Sequence, residues 1–380
     1  MDTNTESKPF YRIALDPGFY AIKAAAVWEG KLHTTSLPAL VGVGETNIGL
    51  LQTGITHQKR NLPFTVIMDG QSYLVGPHVS QFARPIERLD FNRLTYSREL
   101  QALIYTTLHN LLYTMNPDVN QDQGMDLGLV LALPVQVLQS PEAKETLQSI
   151  DAWLVGEHHF SIDGQLCQYN IHSVRAMAQP MGSLFEWGLN LEGQWSRSPK
   201  DLRASIGVLD QGFNTIDLIH IKEGQIVRRF TNGDTLGQRR AAKMMQELIE
   251  QRVGRKVTLH EADETLRRFV NGQNVDLFVR GKEISLKEQA AQAIDVAASE
   301  LKAFLSQVWE DGRQFDYILL TGGGSLILGN RLRHMYPNVI ELMDPVTANA
   351  RGLARFAQRK GILDPAIQVA SRVSQAKGSV

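Results

Sequence analysis

Two stretches of this chain follow one grammar. Near the start stands Ile13-Ala14-Leu15-Asp16-Pro17-Gly18, followed by Phe19, Tyr20 and an apolar run from Ala21 to Val27 that holds one basic residue, Lys23. Past the middle, Gly207-Val208-Leu209-Asp210-Gln211-Gly212 is followed by Phe213-Asn214-Thr215 and the apolar run Ile216-Asp217-Leu218-Ile219. In each, an apolar strand ends on an Asp, turns at a Gly and leaves as a second strand, so the backbone amides of the turn point at something anionic. A chain that opens both halves this way is constrained to a duplicated α/β architecture with an anion gripped between the halves.

The rest of the pattern agrees with doubling. Each acidic hairpin continues to a tip, Glu29-Gly30 or Glu223-Gly224, and a third strand, Leu32 to Ser36 or Gln225 to Thr231. The first half then carries a mainly β insertion of about 36–96, with a hairpin at Asp69-Gly70, and a helix from Ser97 to Met115 capped by Ser97. Asp126 to Leu133 has no polar alternation past its first residue and reads as a strand buried on both faces. A helix capped by Ser140 spans to Leu154, a hairpin turns at Asp163-Gly164, and a helix from Met181 to Leu189 closes the half. In the second half, Asn232-Gly233-Asp234 interrupts, a helix pattern covers Thr235 to Val253, and a mostly helical insertion spans Lys256 to Gly281. Leu286 to Trp309 is amphipathic, Tyr317 to Leu320 and Val339 to Leu342 are strands, and Asp344 to Arg359 is helical. The expected units are 1–195, 204–345 and a C-terminal helical segment, 346–380, packing back on the first unit.

Composition excludes several classes. With 380 residues, 43% hydrophobic and 21% charged, the chain can build two cores. A net charge of -1 gives no general field for nucleic acid or an anionic membrane. Cys167, the only cysteine, allows neither an intrachain disulfide nor a cysteine zinc site. The polar start, Met1 to Lys8, is unlike a signal peptide, no run is long enough to span a bilayer, and the tail from Leu363 to Val380 has weak amphipathicity. A cytoplasmic protein without membrane contact is the expectation. His57, His78, His158, His159 and His172 show no metal-ligand spacing.

The chemistry resides in the turns. Carboxylates at Asp16 and Asp210, facing each other at strand ends, suit a hydrated Mg²⁺, which takes one or two carboxylates plus phosphate oxygens. Gly18 and Gly212 allow close backbone approach to phosphate, Asn214 and Thr215 add donors, and Lys23 adds positive charge. Phe19, Tyr20, Gln211 and Phe213 complete the two turns. Thr321-Gly322-Gly323-Gly324-Ser325 follows a strand and opens a helix, so a base or ribose can lie on its main chain. Gln238 and Lys243, with Arg239, are candidates for ribose contact.

In this order, Asp16-x-Gly18 with Lys23, Asp210-x-Gly212-x-x-Thr215-x-Asp217 and Thr321-Gly322-Gly323-Gly324 resemble the phosphate-one, phosphate-two and adenosine motifs of the actin-like ATPase superfamily. The short first loop is similar to the plasmid-segregating bacterial actins of the ParM/StbA type and their archaeal relatives. Leu131-Ala132-Leu133-Pro134-Val135 and Ala348-Asn349-Ala350-Arg351-Gly352 resemble that group's strand end and closing connection. The resemblance implies an actin-like, ribonuclease H-like duplicated fold with two domains around a nucleotide cleft. It implies Mg²⁺ and ATP, with GTP as the alternative nucleotide, Asp16 and Asp210 on the metal, and Gln179 polarising water. Phe19 and Tyr20 stand where many relatives carry small hydroxyl residues. The function implied is an ATP hydrolase that stacks head to tail into filaments, with a DNA-binding adaptor and a role in plasmid or DNA segregation or a related cytoskeletal role. The alternatives are a metabolite kinase of the same fold, with Asp126 or Asp151 as base, and a non-polymerising scaffold.

Overall fold

The structure is a computed structural model that describes residues 8–46, 62–86 and 97–363. Most of the N-terminal segment, His57, two parts of the first insertion and the tail 364–380 lie outside the described residues.

The first lobe starts with three antiparallel strands, β1 (Phe10–Pro17), β2 (Ala21–Trp28) and β3 (Lys31–Pro38). The insertion adds β4 (Val41–Val43), β5 (Phe64–Met68) and β6 (Gln71–Val75), the last two paired across Asp69-Gly70. Helix α1 (Arg98–Met115) is capped by the Ser97 hydroxyl, which accepts from the Leu100 N–H at 3.2 Å. Then come β7 (Met125–Leu133), α2 (Val135–Gln139), α3 (Ala143–Leu154), β8 (Gly156–Ile162), β9 (Gln165–Ala178) and α4 (Gln179–Gly188). Ser140 does not cap a helix reaching Leu154. It ends α2, and α3 begins at Ala143 without a side-chain cap.

A short helix, α5 (Pro199–Arg203), leads into the second lobe: β10 (Ser205–Gln211), β11 (Ile216–Lys222), β12 (Gln225–Ile226), β13 (Asn232–Asp234), α6 (Arg239–Val253) and α7 (Leu259–Val270). It continues through β14 (Asp276–Val279), β15 (Lys282–Ser285), α8 (Lys287–Trp309), β16 (Tyr317–Thr321), α9 (Ser325–Arg333), β17 (Val339–Glu341) and α10 (Ala348–Ala357). Three local expectations shift. The third strand stops at Ile226 and a 3-10 turn over Arg228–Phe230 follows. Asn232 to Asp234 pair with β11 instead of merely interrupting, which delays α6 to Arg239. The second insertion is half hairpin, because Arg280 and Gly281, both at positive φ, turn the chain back between β14 and β15.

Among the described residues the first sheet has the order β3-β2-β1-β7-β9-β8-β5-β6-β4 and the second β12-β11-β10-β16-β17. The block β3-β2-β1-β7-β9 and the whole second path share one pattern. In both, the first three strands are antiparallel and the next two run parallel to the acidic strand. Both acidic strands thus sit mid-sheet, each between one antiparallel and one parallel neighbour, and Asp16 and Asp210 emerge at carboxyl strand ends, where α/β folds bind ligands.

Helices complete the layers. Leu103 and Leu108 of α1 pack on Ile13, Leu15 and Leu131, while Met245 of α6 and Leu301, Leu305 and Trp309 of α8 pack on Leu209, Ile216 and Leu218. Burial of each such side chain contributes about 1.5–3 kcal/mol. Between the sheets lie α4 and α10. Phe185 and Leu353 cover Ala14, Ala25 and Val130 of the first sheet, and Leu184, Trp187 and Ala348 cover Val208, Ile219 and Leu319 of the second. The two helices cross with the backbone at Gly352 directly against Gly182, a contact any Cβ would block. Glu186, partly buried and paired with Arg351 and Arg355, fastens the crossing.

Candidate functional site

The first acidic turn is short. Gly18 N–H donates to Ala21 O at 3.0 Å, and Lys23 Nζ, two strand residues on, returns to Asp16 Oδ2 at 3.2 Å. Asp16 and Lys23 are cross-strand partners in β1 and β2, which is why a lysine seven positions later meets the carboxylate. In the second turn Gly212 N–H donates to Thr215 O at 2.9 Å. The start of α6 rests on it, with Gln238 N–H donating to Gly212 O at 3.1 Å.

A cavity of about 420 Å³ separates the lobes, lined by Asp16, Gly18, Phe19, Tyr20 and Lys23 from one side and by Asp210, Gly212, Phe213, Asn214 and Thr215 from the other. Gln179, Gly322 and Gly323 line it as well. Its size is that of a small-molecule site. Both carboxylates are almost wholly buried, and Asp210 feels the consequence: burial first, and then the Asp16 charge, push its carboxyl from 3.8 up to about 6. Asn349 opposes this shift by donating from Nδ2 to Asp210 Oδ2 at 2.6 Å. Gln179 Nε2 donates to Asp16 Oδ1 at 2.9 Å.

The third glycine-rich turn closes the floor. Gly322, at φ +86°, lies so close to Gln211 O and Asp210 Oδ1 that no side chain fits. Gly324 N–H donates to Gln211 O at 2.8 Å, and Ser325 Oγ donates back to Gly322 O at 2.7 Å. Gln211, Gly324 and Ser325 therefore build the turn from behind and do not line the cavity. Gln238 is fully buried at the start of α6 and lies outside the lining. Lys243 is on another face altogether. Helical spacing groups it with Arg240 and Glu247 in a groove against Glu300 of α8.

Several contacts at the cleft were not read from the sequence. Asp217, one pairing step from Asp210 across β10 and β11, accepts from the Val135 N–H at 2.7 Å and from Thr215 Oγ1 at 3.1 Å. Burial and the Asp210 charge push its carboxyl up to about 7. The bond to Val135 joins the lobes at the start of α2, and Gln136 Nε2 adds a second link to Gly233 O at 2.7 Å. Over the cavity, Tyr20 stacks on His260 of α7 with centroids 5.0 Å apart and touches Phe213 at 5.4 Å. The Arg267 guanidinium lies 4.8 Å from the Tyr20 ring centroid and donates to Gly323 O at 3.3 Å. His260 and Arg267 sit in an insertion whose sequence shows only an amphipathic helix, so nothing local signals their place at the cleft. Asn349 had a visible signal, the Ala-Asn-Ala-Arg-Gly run, which was read as a connection only.

Other candidates sit apart. Asp126 is paired with His172 at 2.6 Å near the start of β7 and is aligned with Phe10, six residues before Asp16 and so roughly 20 Å along the sheet from the cleft. Burial pushes the Cys167 thiol up to about 12, which suits a packed core residue. Among the described residues no cluster of three or more His, Cys, Asp or Glu forms a protein-only metal cage, and no helix is long and apolar enough to cross a membrane.

Comparison with known proteins agrees with this architecture. Residues 14–182 match the family model described as actin like proteins N terminal domain, and residues 208–334 match that of the archaeal actin homologue MreB-like, C-terminal. The archaeal actin homologue Ta0583, solved in complex with ADP, is 16% identical with a TM-score of 0.66, covering 95% of this chain and 99% of its own. The apo pSK41 ParM protein is 17% identical with a TM-score of 0.64 and covers 96% and 99%. ParM of a 15-stranded filament from Clostridium botulinum is 20% identical with a TM-score of 0.68 and covers 92% and 99%. No curated protein matches the chain. With both family models in register on the two lobes, and the acidic turns meeting between them, the chain belongs to the actin-like ATPase superfamily.

Proposed function

We propose that this chain binds ATP with Mg²⁺ in the cleft, hydrolyses it, and assembles head to tail into filaments that segregate DNA through a DNA-binding adaptor. The observation that carries the reading is the pair of buried carboxylates, one from each lobe, with Lys23 bonded to Asp16 as cationic compensation. Such a pair is costly to keep charged, and a divalent cation relieves it. Asp16 and Asp210 would hold the ion, whose contribution when bound is to neutralise charge on the phosphate oxygens.

The remaining work falls to the chain's own groups. Lys23 and the Asn214 side-chain NH₂ offer donors to a phosphate tail, which the bare Gly18 and Gly212 let approach, while the N–H groups of those glycines and the Thr215 hydroxyl are spent within the turns. Gln179, which donates to Asp16, would orient water beside the first turn. Phosphoryl transfer needs mostly this kind of positioning and electrostatics. Both lobes must close on one ligand for the site to be complete, so nucleotide state and lobe angle are coupled. Subunits stacked by heterologous contacts would read that angle, and a relative with this fold is solved as a filament. Of the two candidate bases of the metabolite-kinase reading, Asp126 is engaged by His172 far from the cleft.

Sedimentation and light scattering of the full chain with ATP, ADP or no nucleotide, alongside phosphate release, test the proposal. ATP-dependent pelleting with phosphate release is expected. Hydrolysis without assembly under any nucleotide would remove the filament part, and Asp210→Ala that still turns over would remove the metal assignment.

A further inference from the structure

The two crossing helices carry one amide side chain for each acidic turn: Gln179 at the head of α4 donates to Asp16, and Asn349 at the head of α10 donates to Asp210. The second of these has a partner behind it. Ser183 Oγ donates to Asn349 Oδ1 at 2.6 Å, and Asn349 Nδ2 donates to Asp210 Oδ2 at 2.6 Å. The chemistry fixes the direction of this chain. A carboxylate only accepts, so the amide must present its NH₂ to Asp210 and its carbonyl to the hydroxyl. All three residues are buried, with Ser183 fully so, and water competes poorly for the links. Desolvating a hydroxyl, an amide and a carboxylate together is expensive unless each is satisfied.

We infer that Asn349, oriented by Ser183, is a positioning residue for Asp210, tying one carboxylate oxygen to the α4–α10 crossing while the other remains beside Gly322 on the cavity wall. The inference rests on the nucleotide reading above and deepens it. Asp210 belongs to the second sheet, whereas α10 lies against the first through Ala350, Leu353 and Ala357. The bond therefore crosses between the lobes at their tightest contact, where Gly352 meets Gly182 and a rotation of one helix must move the other. A carboxylate held by this relay keeps its place only for one lobe angle.

The test compares the full-length wild type with Asn349→Ala and Ser183→Ala. A fluorescent ATP analogue is titrated in excess Mg²⁺ and in EDTA, the Mg²⁺ concentration for half-maximal binding is measured, and phosphate release is followed. For Asn349→Ala, loss of a hydrogen bond to a charged group corresponds to about tenfold or more, in Mg²⁺ requirement and in turnover. Binding in EDTA should change by less than about twofold. Ser183→Ala should shift the same two quantities in the same direction by about threefold, since the amide loses its lock and not its donor. Equal weakening with and without Mg²⁺, or an unchanged Mg²⁺ requirement, would overturn the relay. If Asn349→Ala shows no cooperative melting, Ser183→Ala decides by the same criterion. A wild type that neither binds the analogue nor releases phosphate overturns the nucleotide reading and the relay with it. An active wild type with unaffected variants overturns the relay alone.

Discussion

Replacing Asp210 by Asn should make the metal-free protein more stable while removing its function. The carboxyl is buried and faces Asp16, so its folded value rises from 3.8 to about 6. For an acid whose folded value is raised, the folded state holds more protons than the unfolded one between those two values. Stability from this group is therefore present at low pH and is lost as pH rises through about 6. The interval of about two units corresponds to roughly 3 kcal/mol of penalty at pH 7.5, an upper bound because buried charges relax and admit water. Asn keeps the shape and still accepts from Asn349, although that bond weakens once the charge is gone, by about 1 kcal/mol. A net gain of about 1–2 kcal/mol remains, or roughly 2–8 °C in melting temperature for lobes of this size. Thermal melts in EDTA at pH 7.5 and pH 5 provide the assay: at pH 5 the folded wild-type carboxyl is mostly neutral but the unfolded one is still ionised, so about half of the penalty, ~1.4 kcal/mol, is relieved and the advantage should shrink by that amount. An Asp210→Asn protein no more stable than wild type at pH 7.5, or equally advantaged at both pH values, would refute the reasoning.

Two further perturbations probe other parts of the cleft. Tyr20→Ala removes the stack on His260 and the contact with Arg267 that bridge the lobes, together worth about 1–2 kcal/mol, so release of a pre-bound fluorescent nucleotide should speed up about tenfold. Unchanged or slower release would show that the bridge does not hold the cleft shut. Gly352→Val places a branched side chain into the backbone of Gly182 and should cost more than about 3 kcal/mol, read as a large drop in urea midpoint. A midpoint within error of wild type would mean that the helices can separate freely at this crossing.

Much of this protein is legible in its order of residues because its instructions are local. The Asp-Gly hairpins, the buried run of β7, the Ser97 cap and the Gly322 turn each follow from conformational or burial preferences that act within a few residues. Repetition supplied the architecture, since two copies of one strand grammar demand two sheets of one topology. Boundaries failed where tertiary pairing overrode local preference: Asn232 to Asp234 became a strand because β11 offered an edge, which shortened α6.

The pair of carboxylates and the turn residues beside it were visible from sequence, but the groups behind and above them were not. His260 and Arg267 reach the cleft only because α7 folds over the second turn, and Lys243 misses it because the helix phase carries it outward. Asn349 and Asp217 lie 139 and 82 residues from the groups they bind, Asp210 and Val135. Local chemistry can specify a turn or a strand. Which donor faces which carboxylate depends on how two lobes and two crossing helices are set against each other, and distances along the chain carry no record of that.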